Sequence, residues 1–313
     1  MDNLNIYESI AERTQGDIYI GVVGPVRTGK STFIKRFMDL LVIPNVSNAY
    51  VKERINDELP QSGSGRTITT TEPKFVPAEA ISLELPGHVN FKVRMVDCVG
   101  YLVNGALGHT EGGKSRMVNT PWQEAQIPFE EAAEIGTRKV ISEHATIGIL
   151  VTTDGSIGEI QRENYVTAEE RVVKELKELN KPFVIVLNAI DPEGETAQSM
   201  KAKLKETYQV PVVAANCARM NRETVNEILE DVLYEFPAAQ INFHLPGFVE
   251  GLSNEHWIKS TMINNIRGWS QTFENLHDIK NTISILEDGQ VIAGITVDGV
   301  NLGTGIIDVT MNM

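Results

Sequence analysis

The chain is 313 residues long, 42% hydrophobic and 22% charged. That composition excludes wholesale disorder and leaves room for about two domains. Twenty-eight Lys and Arg against 42 Asp and Glu give a net charge of −14, which excludes a global electrostatic pull towards DNA, RNA or anionic lipid.

From about residue 17 to residue 236, β-rich runs alternate with helical patterns. Residues 17–23 form an apolar strand. They lead into Gly24-Pro25-Val26-Arg27-Thr28-Gly29-Lys30-Ser31, a full G-x-x-x-x-G-K-S, and then a helix over 31–41 with Phe33, Ile34, Phe37, Leu40 and Leu41 on one side. Strand, loop, helix is the context that this phosphate-binding motif requires. Its glycines let backbone N–H groups face phosphate oxygens, and the helix N-terminus adds its positive end. Lys30 reaches the β- and γ-phosphates and the Ser31 hydroxyl ligates Mg²⁺. Gly24, Arg27, Thr28, Gly29 and Thr32 complete the expected phosphate cradle.

A polar stretch precedes Gly65-Arg66-Thr67-Ile68-Thr69-Thr70-Thr71-Glu72-Pro73. In switch nucleotidases a threonine at this place touches Mg²⁺ and the γ-phosphate, and Thr70 and Thr71 are the candidates. An alternating strand over 91–97 ends in Asp97-Cys98-Val99-Gly100. A carboxylate there suits a Walker-B role towards Mg²⁺, and the Gly100 amide a γ-phosphate sensor.

A helix over 129–144, a strand over 146–151, a charged helix over 168–179 read as a solvated face, and a strand over 182–187 follow. After that strand comes Asn188-Ala189-Ile190-Asp191. The guanine-reading motif is N-K-x-D, so Asn and Asp remain but the Lys is Ala. Asn216-Cys217-Ala218-Arg219 faintly echoes the loop that backs the base. A helix over 196–208, a strand over 210–214 and a helix over 222–234 complete the alternation, which predicts an α/β fold: a mostly parallel sheet with helices on both faces.

Pro237 closes that pattern. Residues 254–280 read as one helix with Trp257 and Trp269 in its core stripe. Residues 283–309 read as β-rich, with Asp288-Gly289 and Asp298-Gly299 as hairpin turns. The expected domains are 1–237, a P-loop nucleotidase, and 238–313, a smaller α+β module. The last strand, over 306–310, reads as cut off without a closing element, which points to a piece of a longer chain, and residues 283–309 are therefore expected to offer a strand edge to a neighbouring subunit.

Cys98 and Cys217 sit in apolar, strand-like surroundings and read as reduced buried thiols. The first residues lack a signal peptide's basic and apolar regions, and no stretch approaches the ~18 apolar residues of a membrane span. A cytosolic location is the default expectation.

Two departures bear on mechanism. Tyr101 follows Gly100 where water-orienting nucleotidases carry Gln or His, so hydrolysis is expected to be slow or assisted. Arg27 occupies the place of the potassium-binding Asn of ion-stimulated relatives, and is expected to supply a fixed positive charge near the β/γ bridge.

The stretches Arg27-Thr28-Gly29-Lys30-Ser31-Thr32-Phe33-Ile34-Lys35, Thr70-Thr71-Glu72-Pro73-Lys74-Phe75-Val76-Pro77, Val96-Asp97-Cys98-Val99-Gly100-Tyr101 and Asn119-Thr120-Pro121-Trp122 together resemble the stage IV sporulation protein A family. These are the coat morphogenetic ATPases of endospore-forming bacteria. The resemblance spans residues 1–237 and weakens after about 240. It implies a translation-factor-related GTPase-like fold that has shifted to ATP. It implies slow hydrolysis coupled to self-assembly into a homopolymer, the base layer of the spore coat at the outer forespore surface in the mother cell. Recruitment by a small amphipathic membrane peptide and contacts with other coat proteins are implied as well, without transmembrane insertion of this chain. By resemblance Lys30 is the Walker-A lysine, Asp97 the Walker-B carboxylate, and Thr70 and Thr71 the sensor threonines. The competing readings are a GTPase switch of the ribosome-assembly type and a nucleotide-gated structural module with negligible turnover.

Overall fold

The computed structural model describes residues 3–60, 73–85, 89–111, 113–120, 123–287 and 290–313. Thr70, Thr71, Trp122 and the Asp288-Gly289 turn lie outside them.

Ten helices are described: α1 Asn3–Arg13, α2 Lys30–Phe37, α3 Ala49–Glu58, α4 Phe129–Lys139, α5 Val166–Glu178, α6 Glu195–Tyr208, α7 Arg222–Tyr234, α8 Gly247–Glu250, α9 Trp257–Trp269 and α10 Leu276–Thr282. The main strands are β1 Asp17–Val23, β2 Lys74–Leu85 and β3 Val89–Asp97. Short strands β4 Thr110–Glu111, β5 Lys114–Ser115, β6 Met117–Thr120 and β7 Gln123–Pro128 follow. They are succeeded by β8 Ile147–Thr153, β9 Phe183–Asn188, β10 Val212–Ala215, β11 Gln240–His244, β12 Gly294–Asn301 and β13 Ile306–Asn312.

Six strands form one sheet in the order β10-β9-β8-β1-β3-β2. All its pairings are parallel except β2 on β3. Alternation along β8 explains the layering. Ile147, Ile149 and Val151 pack on one face with Phe33 and Phe37 of α2, while Leu150 packs on the other with Val172 and Leu176 of α5. The parallel strands therefore all end on one side, and the loops leaving β1, β3, β8, β9 and β10 gather there.

The helix read over 31–41 is α-helical to Phe37 and continues as a π-turn, Met38–Val42, and a second π-turn, Val140–His144, ends the helix read over 129–144. The reading did not foresee α1, α3 or β2. Helix α1 buries Ile6, Tyr7 and Ile10, a helical spacing that was present in the sequence.

After Pro237 a three-stranded sheet forms in the order β11-β13-β12. Its apolar residues Ile307, Val309 and Met311 join the same buried cluster as α2 and α7. Arg13, the last residue of α1, reaches into the β12–β13 turn, its Nε donating to the Leu302 carbonyl at 2.6 Å.

Three expectations are corrected here. The helix over 254–280 is two helices. Thr272 turns its hydroxyl back to the Trp269 carbonyl at 2.7 Å, and Asn275 caps α10 by accepting from Asp278 N at 2.8 Å. The three-to-five spacing persists because Trp269 and Phe273 pack across the break, with ring centroids 4.6 Å apart and planes tilted by 47°. Trp257 is no core residue, being 63% exposed. Asp298-Gly299 is no turn; it sits in β12 where the register slips between Val297 and Gly299, a bulge, and the chain reverses at residues 302–305 instead. The last strand, β13, is central, paired with β11 on one side and β12 on the other, and within residues 283–309 it is β12 that stands at an edge of this sheet.

Helix α7 ends in a half-hidden acidic cluster. Burial, with Asp278 and Asp231 adding repulsion and Lys177 opposing, pushes the Glu235 carboxyl up to about 8, and burial beside Glu227 pushes Asp231 up to about 6. Both folded values lie above the ordinary carboxyl range of about 4. Their stabilising contribution is therefore fully present below about pH 4 and is lost as pH rises through 6 and then 8. The urea midpoint is expected to fall between pH 5 and pH 8.5, and Glu235→Gln to flatten the part above pH 6.5. A Glu235→Gln curve parallel to wild type over that interval would contradict this.

Candidate nucleotide site

The loop between β1 and α2 is built from backbone conformations that few side chains tolerate. Gly24 has φ +135, and a Cβ there would lie 2.3 Å from the Val151 carbonyl oxygen. Gly29, φ +97, is the N-cap of α2, and its Cβ would lie 2.2 Å from Asn188 Nδ2. Arg27 takes φ 64 without being glycine, a conformation uncommon for a long side chain. Thr28 is wholly buried, its hydroxyl donating to the Pro25 carbonyl at 3.0 Å.

Lys30 is buried, and its ammonium donates to the carbonyls of Pro25 at 2.6 Å and Gly24 at 3.3 Å. Burial holds its pKa below the ordinary lysine value, with Asp97 opposing and Arg27 adding to the depression. The loop thus curls around its own lysine, which holds a cation where a phosphate group would meet it.

Asp97 ends β3 directly beside β1, paired with Val22. The Ser31 hydroxyl donates to Asp97 Oδ2 at 2.7 Å, while Oδ1 is buried without a hydrogen-bond partner. Burial pushes this carboxyl up; the Ser31 bond and Lys30 oppose it. A hydroxyl and a hungry carboxylate oxygen are hard ligands of the kind Mg²⁺ takes alongside substrate phosphates, so the residues present fit that ion. Among the described residues no group of three or more His, Cys, Asp or Glu makes a separate metal cage.

Gly100, φ +89, shows why the D-x-x-G needs its glycine: a Cβ would lie 2.2 Å from the Gly24 carbonyl oxygen and 2.6 Å from Lys30 Nζ. The P-loop and this segment are also stitched by Val26 N donating to the Tyr101 carbonyl at 2.9 Å. Tyr101 itself turns away. It is buried, donates to Glu175 Oε2 at 2.5 Å, and lies under the Arg171 guanidinium at 4.6 Å. Burial and Glu175 raise its pKa strongly, so it stays a neutral phenol.

Asn188 is placed as a pin. Its Nδ2 donates to the Thr28 carbonyl at 3.0 Å and its Oδ1 accepts from Cys217 N at 3.0 Å, which ties the P-loop to the β9 and β10 ends. Asp191 is exposed two residues beyond the wholly buried Ala189. Cys98 and Cys217 are free and buried, as expected, with burial pushing their thiols up to about 11 and about 12.

The structure thus brings Gly24, Arg27, Thr28, Gly29, Lys30, Ser31, Thr32, Asp97, Gly100 and Asn188 to one end of the sheet, with Asp191 on the adjoining loop. It also shows residues that the sequence reading missed. Glu169, read as part of a solvated face, is 0% exposed. It accepts from Arg162 on both oxygens at 2.7 and 2.8 Å, from Thr152 at 2.5 Å and from Tyr208 at 2.9 Å. No local signal marks it, because those partners stand on β8, on the loop after it and on α6.

A mostly parallel sheet with a phosphate loop after one of its inner strands, a buried lysine, and a serine–aspartate pair at the neighbouring strand end define a P-loop nucleotide-binding fold. The particular kind follows from comparison. Residues 1–237 match the family model for the stage IV sporulation protein A ATPase domain, and residues 238–313 that for its middle domain. The chain belongs to the stage IV sporulation protein A family. It is 52% identical over 309 residues to stage IV sporulation protein A of Clostridioides difficile and 46% identical over 311 residues to that of Bacillus subtilis. Each match covers 99% of this chain and 63% of the relative.

Proposed function

We propose that this chain binds and hydrolyses ATP, and that the cycle drives self-assembly into the basement layer of the spore coat. The observation that carries the chemistry is the phosphate cradle: Lys30 held inside its own loop, with Ser31 on Asp97 alongside. The family carries the context. In this reading Lys30 binds the β/γ-phosphates, Ser31 and Asp97 hold Mg²⁺, and Gly100 N–H meets the γ-phosphate. Mg²⁺ supplies charge neutralisation on the phosphates when bound. Thr70 and Thr71 are proposed as sensors. With Tyr101 buried against Glu175, no side chain directly after Gly100 orients water, which accords with slow turnover.

Proposed partners are further copies of the chain, a small amphipathic membrane peptide and other coat proteins. The proposed place is the mother-cell cytoplasm at the outer forespore surface. Among the described residues no helix is long and apolar enough to cross a membrane, and with a net charge of −14 the chain needs a dedicated recruiter.

A second reading, a GTPase switch, rests on Asp191, which survives and is exposed. The two separate by titrating ATP and GTP against the chain with Mg²⁺ present. ATP binding at least tenfold tighter is expected; a GTP preference overturns the ATPase reading. If sedimentation of the chain is indifferent to ATP, assembly is not nucleotide-driven.

A further inference from the structure

Asn188 is spent on the P-loop and the β10 end, and the motif lysine is absent at Ala189. What remains of the base-reading loop is Ile190 and Asp191, both exposed, with Ile190 at 60%. An exposed two-residue tip on a loop has little packing to fix it. Here it is fixed by hydrogen bonds from two other loops.

Ile190 N donates to Ser156 Oγ at 3.0 Å, and the Ile190 carbonyl accepts from Asn216 Nδ2 at 3.1 Å. Both sides of the tip are therefore held, one by the loop after β8 and one by the loop after β10. Each holder is itself oriented. The Ser156 hydroxyl donates to Asp154 Oδ1 at 2.6 Å, which leaves its lone pairs for Ile190, and Ser156 N donates to the same oxygen at 2.9 Å. Asn216 Oδ1 accepts from Ala218 N at 3.2 Å, which sets the amide so that Nδ2 faces Ile190. The loop after β8 is anchored in turn by Arg162 on the buried Glu169, and Gly155 N donates to the buried Thr153 hydroxyl at 3.0 Å.

We infer that Ser156 and Asn216 are positioning residues that clamp the Ile190 peptide from both sides and thereby fix where Asp191 stands to meet a nucleobase. The clamp replaces, in part, the ordering that a motif lysine packed along the base would give. It acts on the base and not on the phosphates, because the P-loop is held separately by Lys30, Thr28 and Asn188. This inference rests on the nucleotide-binding reading.

The test compares three probes on one chain: ATP, GTP and inorganic tripolyphosphate, each with Mg²⁺, measured by calorimetry. Losing one net hydrogen bond of this kind is worth about a three- to tenfold change in affinity. Ser156→Ala and Asn216→Ala are each expected to weaken ATP by that factor, to change the ATP:GTP ratio, and to leave tripolyphosphate unchanged. Ser156→Thr, which keeps the hydroxyl, should restore ATP affinity. A merely structural role would weaken all three probes together, and that result overturns the inference. So does a double variant, Ser156→Ala with Asn216→Ala, that binds ATP as wild type does. If the wild type binds none of the probes, the nucleotide reading falls and the clamp falls with it.

Discussion

Lys30→Met is expected to remove ATP-induced stabilisation completely and to lower turnover by about 10²–10³-fold, the scale on which one preorganised donor acts in a transition state. The reason lies in what the wild-type loop stores. A buried ammonium with a depressed pKa, resting on the Pro25 and Gly24 carbonyls, is a charge whose desolvation has already been met in the folded protein. An arriving phosphate gains that charge without reorganisation. Methionine is an uncharged chain only one heavy atom shorter than lysine, so the volume at position 30 is nearly conserved. In the nucleotide-free protein the change sets two opposed terms against each other: a buried charge is relieved, and two carbonyls lose a donor. The unliganded melting point is therefore expected to move little. With ATP at a hundred times its Kd, the wild type gains about 2.7 kcal/mol, and the variant gains nothing. Thermal melts with and without Mg²⁺-ATP read this directly. A variant still stabilised by ATP would show that Lys30 is not the phosphate ligand.

The same lysine shows what was legible in advance. Gly24 to Ser31 is contiguous, and every constraint on it is local: positive φ at Gly24 and Gly29, a strand before, a helix after. Helix α7 was also readable, because Asn221 is a local cap that accepts from Thr224 N at 2.9 Å, and Val225, Ile228, Leu229 and Val232 follow at helical steps. Asp97 was readable because a strand end is local and its distance from the P-loop fits the class. Other features were hidden because their cause is distant. Glu169 looks like any charge on an amphipathic helix until Thr152 and Tyr208 are brought to it by the sheet and by α6. Ser156 and Asn216 are 60 residues apart in sequence and meet only across the Ile190 peptide. Asp298-Gly299 has the composition of a turn, yet the pairing of Gly299 with Asp308 makes it a bulge: tertiary pairing overrode local turn chemistry.

Glu169→Gln is expected to cost about 3–5 kcal/mol of stability, the scale of breaking a buried pair while leaving one charge behind. Glutamine preserves shape but removes the negative charge that both nitrogens of Arg162 address, at 2.7 and 2.8 Å, with the Arg162 side chain 13% exposed. It also turns one of the two oxygens into a donor, so either the Thr152 hydroxyl on Oε2 or the Tyr208 hydroxyl on Oε1 loses its acceptor. Tyr208→Phe, which deletes a single donor, is expected to cost only about 1 kcal/mol. Urea unfolding at neutral pH measures each value. If the cluster acts as one unit, Arg162→Leu and Glu169→Leu will each be costly alone, and the pair together far less than their sum, since neither charge is then stranded. The consequences reach the nucleotide site. Arg162 holds the short helical turn that carries the loop after β8 back under the P-loop. There the Ile157 side chain would stand 3.8 Å from a Cβ on Gly29, and Ser156 grips Ile190. ATP affinity should therefore fall in Glu169→Gln even at temperatures where the protein remains folded, while Tyr208→Phe, which leaves the Arg162–Glu169 ion pair in place, leaves it unchanged. Additive costs in the double variant, or a Glu169→Gln protein within about 1 kcal/mol of wild type, would mean that the cluster is packing rather than a coupled electrostatic anchor.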